Sequence, residues 1–313
     1  MDLSNDVVID IKNEKQEFLQ FKKLLKYSSL ISHCYSLGVD KNYRTFRANR
    51  TPLPKEEYEK NMNDYKNLCE ANNLNFKNIV KASQAHTDNI LNIDSSNKDE
   101  VLDTNVKSDG LITNKKEIIL ATTNADCILL LMFDPIKKVI ANVHSGWRGT
   151  LQKISVKIVE KMVKDYGCNP KDIIVCICPS IRKCHFEVDK DVYQMFYEQF
   201  KELENVERFI EKKGEKWYID TVLINKIILK NIGILDENIE DCGICSVCNK
   251  DKVHSYRAEG VNYGLATALI ALKWKKYPKI SVTKREKSQK FSVTKREKYQ
   301  IKGKGAKKWY QIN

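Results

Sequence analysis

A chain of 313 residues with 42% hydrophobic and 30% charged residues has the composition of a globular protein and not of a disordered one. Its longest unbroken apolar run, Cys127 to Phe133, falls far short of the roughly 20 residues that span a bilayer, and the opening "MDLSNDVVIDIKNEKQ" shows no secretory signal. The formal charge of +13 falls wholly on Ala271–Asn313, so residues 1–270 are neutral and a nucleic-acid-binding body is disfavoured. These features predict a cytoplasmic protein without a membrane partner. The ten cysteines then read as reduced thiols, core residues or metal ligands instead of disulfides.

In chain order, "LISHCYSLG" predicts a strand, and Tyr58, Met62, Tyr65 and Cys69 form the apolar stripe of a helix running from Pro54 to about Asn73. "NIVKASQAH" predicts a strand running into a loop. "EIILATTNADCILLLMFD" and "KKVIANVHSG" predict strands joined through a proline turn. Thr150 is expected to cap a helix whose buried face carries Leu151, Ile154, Ile158 and Met162. "DIIVCICPSI" predicts a strand, followed by helices from Asp189 to about Leu203 and from Val222 to Asn231. "KVHSYRAEG" and "LATALIALKW" predict closing strands. This mixed order favours an α+β sandwich over a doubly wound sheet, and no phosphate-loop or dinucleotide fingerprint is present. The tail repeats "SVTKREKSQ" and "SVTKREKYQ" with a period of eleven, which reads as a solvated basic extension or as a tether to RNA or to a membrane surface.

Three residues stand at strand ends among small or polar neighbours: His86 in "QAHTDN", Cys127 in "NADC" and His144 in "VHSGWRG". Their separations of 41 and 17 residues match no compact zinc finger, but catalytic zinc sites draw three ligands from separate elements. Copper could use the same donors. A different reading makes Cys127 a nucleophile with His144 as base and Asp126 as its orienter. Cys242, Cys245 and Cys248 form CxxCxxC with His254 six residues on. Lacking a second pair, they read as reduced structural thiols. Cys184 and His185 read as packing residues beside the site, and His33 as a strand histidine with satisfied hydrogen bonds.

The motifs "QAHTDN", "TTNADC", "NVHSGWRGT", "CPSIRKCHFEV" and "HSYRAEG", in this order, resemble the YfiH family, also known as multicopper polyphenol oxidoreductase or laccase-domain proteins and as purine nucleoside phosphorylases. The resemblance covers roughly Phe18 to Trp274. It implies a single domain of stacked mixed sheets flanked by helices over residues 18–274, after an extension of residues 1–17 and before the basic tail, 275–313. It also implies that His86, Cys127 and His144 bind zinc, and that the protein phosphorolyses adenosine, guanosine, inosine and S-methyl-5′-thioadenosine and deaminates adenosine. On this reading Arg148 is the nearest cation to hold phosphate, or else stacks on Trp147, which could itself stack a purine. Asp126 would shuttle a proton or orient a ligand. Copper-dependent phenol oxidation and cysteine hydrolysis, as in a peptidoglycan-editing amidase, stand as alternatives. The chain departs from the family in two places. Cys178 replaces a usual glycine, and "SHCYSLGVDKNYRTFRANR" replaces a Thr-Arg-Gly-Gly stretch, leaving an anion-binding arginine open among Arg44, Arg47 and Arg50.

Overall fold

The structure, a computed structural model, describes residues 1–47, 51–95, 97, 106–203 and 206–273. The basic tail and its repeat lie outside the described residues, as does Arg50. Two six-stranded mixed sheets stack face to face. The first runs in the order β1 (Val8–Lys12), β2 (Glu17–Phe21), β3 (Ile31–Leu37), β15 (Ala266–Leu272), β7 (Ile119–Asn124) and β4 (Ile79–Lys81). The second runs β14 (Ile239–Asp241), β10 (Ile174–Ile177), β8 (Ile128–Asp134), β9 (Val139–Ser145), β6 (Gly110–Thr113) and β5 (Ile90–Asn92). A small third sheet, β11 (Glu187–Val188), β13 (Lys216–Ile219) and β12 (Ile210–Lys213), sits beside them. This is the expected α+β architecture, with one difference at its start. Residues 8–12, assigned to an extension, pair in register with β2 and complete the edge of the first sheet.

Strand β8 explains why the sheets stack. Its apolar run is buried on both faces, and the period of two divides it between two cores. Leu129, Leu131 and Phe133 meet Tyr35, Leu120 and Ile270 between the sheets. Ile128, Leu130 and Met132 meet Ile154, Ile158 and Met162 of a helix, α4 (Ile154–Tyr166), which covers the outer face. On the far side α2 (Lys55–Ala71) lays Tyr65, Leu68 and Cys69 over the first sheet. Fully burying such side chains is worth about 1.5–3 kcal/mol each. One polar group interrupts the inner core: Asn142 of β9 donates to the carbonyls of Leu120 and Ala268 and accepts from Thr122. That amide joins the second sheet to the first at a fixed depth.

Two local expectations need correction. Thr150 does not start a helix; it lies within α3 (Trp147–Leu151), which begins right after Gly146, and α4 follows a left-handed Lys153. Nor is "KVHSYRAEG" a strand. Ser255 accepts a hydrogen bond from the Ala258 amide and caps the short helix α7 (Tyr256–Glu259). A serine three residues before an amide satisfies a helix start more cheaply than a strand edge could. Among the described residues no helix is long and apolar enough to cross a membrane.

A candidate metal centre at a sheet-switching corner

The chain passes from the first sheet to the second between β7 and β8, through Ala125, Asp126 and Cys127. Asp126 takes φ of 86°, a left-handed conformation unusual for a non-glycine residue, and its contacts hold it there. Its carboxylate accepts from the Ser246 hydroxyl at 2.6 Å and the Arg257 amide at 2.7 Å, and its carbonyl accepts from the Ile181 amide. Of the roles expected of Asp126, these contacts fit the orienting of a candidate ligand, Cys127, and not of His144. Asp126 anchors the corner that aims Cys127.

The hairpin β8–β9 brings the second ligand. Asp134 accepts from the amides of Ile136 and Lys137, closing the turn, and the register pairs Leu129 with His144. His144 thus lies beside the head of β8, next to Cys127. His86 arrives from the loop after β4 with φ of 58°. Gln84 fastens that loop to β7 by exchanging hydrogen bonds with the backbone of Thr123. Cys127 Sγ lies 3.8 Å from His86 Nε2, and the two imidazoles meet edge to face at 4.9 Å between centroids. One donor atom from each of His86, Cys127 and His144 falls within 4.8 Å of the others. A Cβ on Gly146 would sit 2.7 Å from the His86 ring and 3.2 Å from the Cys127 sulfur, so the ligands converge only because residue 146 is glycine.

Asp109 organises this trio. It is fully buried and accepts four hydrogen bonds from the 85–87 loop: the amides of Ala85, His86 and Thr87, and the Thr87 hydroxyl. It also sits 2.8 Å from His144 Nδ1. A carboxylate there requires the proton on Nδ1, which leaves Nε2 free to face Cys127 and His86. Burial alone would raise the Asp109 carboxyl; the hydrogen bond and charge of His144, with the Thr87 amide and hydroxyl, bring it down to about 2. The same network polarises the ligands. Burial opposes ionisation of Cys127, yet the charge and hydrogen bond of His144, then those of His86, pull its thiol below the ordinary range. Burial likewise opposes charge on His144, while Cys127 and Asp109 hold its proton. Without an ion, the second proton of His144 sits between Nε2 and the Cys127 thiolate; a divalent ion would displace that proton and meet a thiolate and an imidazole whose Nδ1 proton Asp109 holds. Three side chains of nitrogen and sulfur type, converging with room for a fourth ligand, fit catalytic zinc.

The trio borders a cavity of about 1190 Å³. Trp147, Phe186, Tyr256 and Tyr263 give it flat apolar surfaces, and Arg47, Lys81, Lys107 and Arg257 give it cations, the last committed to the carbonyls of His185 and Glu187. Arg148 does not line it. The guanidinium stacks 4.1 Å over the Trp147 ring and the side chain is exposed, so the phosphate clamp expected of Arg148 is not where the cavity is. Arg44 is likewise committed, donating to the Tyr263 carbonyl and stacking on that ring at 4.3 Å. Lys81, which spacing did not single out, is the cation the sequence hid. Burial pushes its ammonium down to about 8, and no carboxylate among the described residues pairs with it.

The family model described as "Multi-copper polyphenol oxidoreductase laccase" matches residues 42–273. A mouse protein named purine nucleoside phosphorylase LACC1 is 33% identical over 169 residues, which are 53% of this chain and 38% of the relative. Adenosine deaminase RL5, from an unknown prokaryotic organism, is 30% identical over 156 residues, 50% of this chain and 59% of the relative. The matched segment thus spans well under two thirds of these relatives. The crystal structure of the Bacillus licheniformis protein YfiH superposes with a TM-score of 0.73 at 21% identity, covering 84% of this chain and 99% of that one, and so shares the fold. With the model match running from Asn42 to Lys273, through His86, Cys127 and His144, the chain belongs to the multi-copper polyphenol oxidoreductase laccase family, and several of its relatives are named purine nucleoside phosphorylases.

Proposed function

We propose that this protein is a zinc-dependent purine nucleoside phosphorylase that takes adenosine, guanosine, inosine and S-methyl-5′-thioadenosine, and that deaminates adenosine at the same centre. The observation that carries the reading is the convergence of His86, Cys127 and His144 under Asp109 at the edge of an aromatic-walled cavity. A zinc ion held by these three side chains would supply Lewis-acid activation of an oxygen nucleophile near neutral pH. Asp109 keeps the His144 proton on Nδ1 and so keeps Nε2 available as a donor. Trp147, Tyr256 and Tyr263 offer faces on which a purine can stack. Lys81 and Arg47 are the cations placed to receive phosphate. Ten free thiols, Cys127 among them, suit a reducing compartment, and we assign the enzyme to the cytoplasm.

The test is product analysis. Zinc-loaded protein incubated with adenosine should yield adenine and ribose 1-phosphate only when phosphate is present, and inosine whether or not it is. Neither product from protein with its zinc in place would exclude the assignment. The two-histidine, one-cysteine donor set also favours a second reading, since copper takes such ligands and the family description speaks of copper and phenols. Copper-loaded protein oxidising a phenol while zinc-loaded protein leaves adenosine intact would favour that reading.

A further inference from the structure

A second set of metal-ligand side chains lies outside the centre described above. The loop after β10 turns tightly, with the amide of His185 donating to the Arg182 carbonyl, and presents Cys184 and His185 together. The loop after β14 runs alongside it through a bridge between Ser180 and Cys245 and presents Cys245 and Cys248. His185 Nδ1 lies 3.2 Å from Cys184 Sγ, 3.6 Å from Cys245 Sγ and 3.6 Å from Cys248 Sγ. Cys184 Sγ lies 3.6 Å from Cys245 Sγ and 4.0 Å from Cys248 Sγ. All four donor atoms fall within 4.8 Å of one another.

Those distances are the edges of a coordination tetrahedron. Zinc bonds of about 2.3 Å to sulfur and about 2.05 Å to nitrogen, at the tetrahedral angle, separate sulfurs by about 3.8 Å and sulfur from nitrogen by about 3.6 Å. A disulfide is a poor account of the same atoms, because three sulfurs and a ring nitrogen converge at one point and its bond of about 2.05 Å would use only two of them. The neighbouring Cys242 stands apart. It is fully buried, its sulfur contacts the Arg182 guanidinium at 3.6 Å, and it belongs to the inner core. Nor does His254 join the cluster, since its ring faces Glu259 and the Lys41 carbonyl. The pair missing from the CxxC spacing is therefore supplied from another loop, by adjacent residues.

We propose that Cys184, His185, Cys245 and Cys248 form a structural zinc site that clamps the 179–189 loop to the 241–249 loop. Four protein ligands leave no open position, and the thiolate-rich set selects zinc over harder ions. The clamp supports one wall of the cavity. Ser246, next to Cys245, holds Asp126 and hence the corner carrying Cys127. Arg257 spans from the Asp126 carboxylate, through its amide, to the carbonyls of His185 and Glu187, through its guanidinium.

Metal content of the whole chain, expressed in zinc-replete cells and purified in reducing, chelator-free buffer, tests this. The wild type should hold two zinc ions. A His86→Ala/Cys127→Ser double variant, which removes the other centre, should retain one. Cobalt loaded into that variant should show the near-ultraviolet thiolate charge-transfer band and intense visible bands of a tetrahedral, sulfur-rich site. Cys184→Ser/Cys248→Ser should lose one ion and melt at lower temperature. A double His86/Cys127 variant that is folded yet metal-free would overturn the proposal, as would a Cys184–Cys245 disulfide in reduced, freshly purified protein. Because that variant lacks the first centre, its metal count is independent of whether the enzyme acts on nucleosides.

Discussion

Asp109 makes contact with two of the three ligands of the first centre, donating nothing and accepting from the 85–87 loop and from His144. Asp109→Asn keeps the shape but turns an amide nitrogen toward groups that are themselves donors. Zinc affinity at that centre, measured by competition with a chromophoric chelator, should fall about 10–100-fold with the far-ultraviolet spectrum unchanged. An unaltered affinity would show that the carboxylate does not hold the ligands. Lys81 makes a separate prediction. If its ammonium receives phosphate, Lys81→Met should raise the phosphate KM by roughly 10–100-fold, the loss of one charge-assisted hydrogen bond, and leave deamination near wild type. Equal losses in both reactions would mark a packing role against the Tyr65 ring instead. His86, Cys127 and His144 were legible in sequence as candidates because each stands beside small or polar residues at a strand end, and the structure brings the three together. Asp109 was not legible, since "SDG" reads as an ordinary turn and its partners are 22 to 35 residues away. For Arg148 the structure shows the stacking on Trp147 and not the phosphate clamp, because nearness in sequence to His144 says nothing of which way a helical side chain turns.

Individual elements show the same division. Strand β8 and the hairpin to β9 follow from two short apolar runs flanking an Asp-Pro turn, so their existence could be read directly. Strands β1 and β2 pair through a short polar turn at Asn13–Gln16, and the apolar signal of "VVIDI" was too brief to separate from an extension. The second cluster was not legible: the CxxCxxC run reads as reduced structural thiols and Cys184 and His185 as packing residues, because only sheet order brings the four side chains together. His33 in β3 gives a prediction at this scale. Beyond the Leu19–Tyr35 pair, its Nε2 accepts from the Phe21 amide at 2.8 Å, in place of a backbone carbonyl. Burial, with the nearby charge of Lys273, pushes its pKa down from 6.5 to about 3. Between those values the unfolded chain binds a proton that the folded one refuses, so stability is present above pH 6.5 and is lost as pH falls. From pH 7.5 to 5 the loss should be about 2 kcal/mol. Urea unfolding at the two pH values should show His33→Gln losing less than the wild type by about that amount. Equal losses would mean that His33 is charged in the fold.

At the scale of the molecule, stacking two sheets brings the head of β8, the foot of β9 and the loop after β4 to one corner, and Asn142 fixes the depth at which the sheets meet. Core packing thereby sets the geometry of the donor trio. The catalytic claim and the cysteine-nucleophile alternative share Cys127, so Cys127→Ala cannot separate them. His86 can, because a three-ligand centre requires it and a Cys-His-Asp triad does not. The decisive measurement is nucleoside turnover followed against zinc content in the wild type, His86→Ala and His144→Ala, with stepwise chelation and zinc return. Turnover should fall in proportion to zinc at the first centre, vanish in both variants, and recover when zinc is restored to the wild type. Full turnover by metal-free protein, or a substrate-derived adduct trapped on Cys127, would contradict the account.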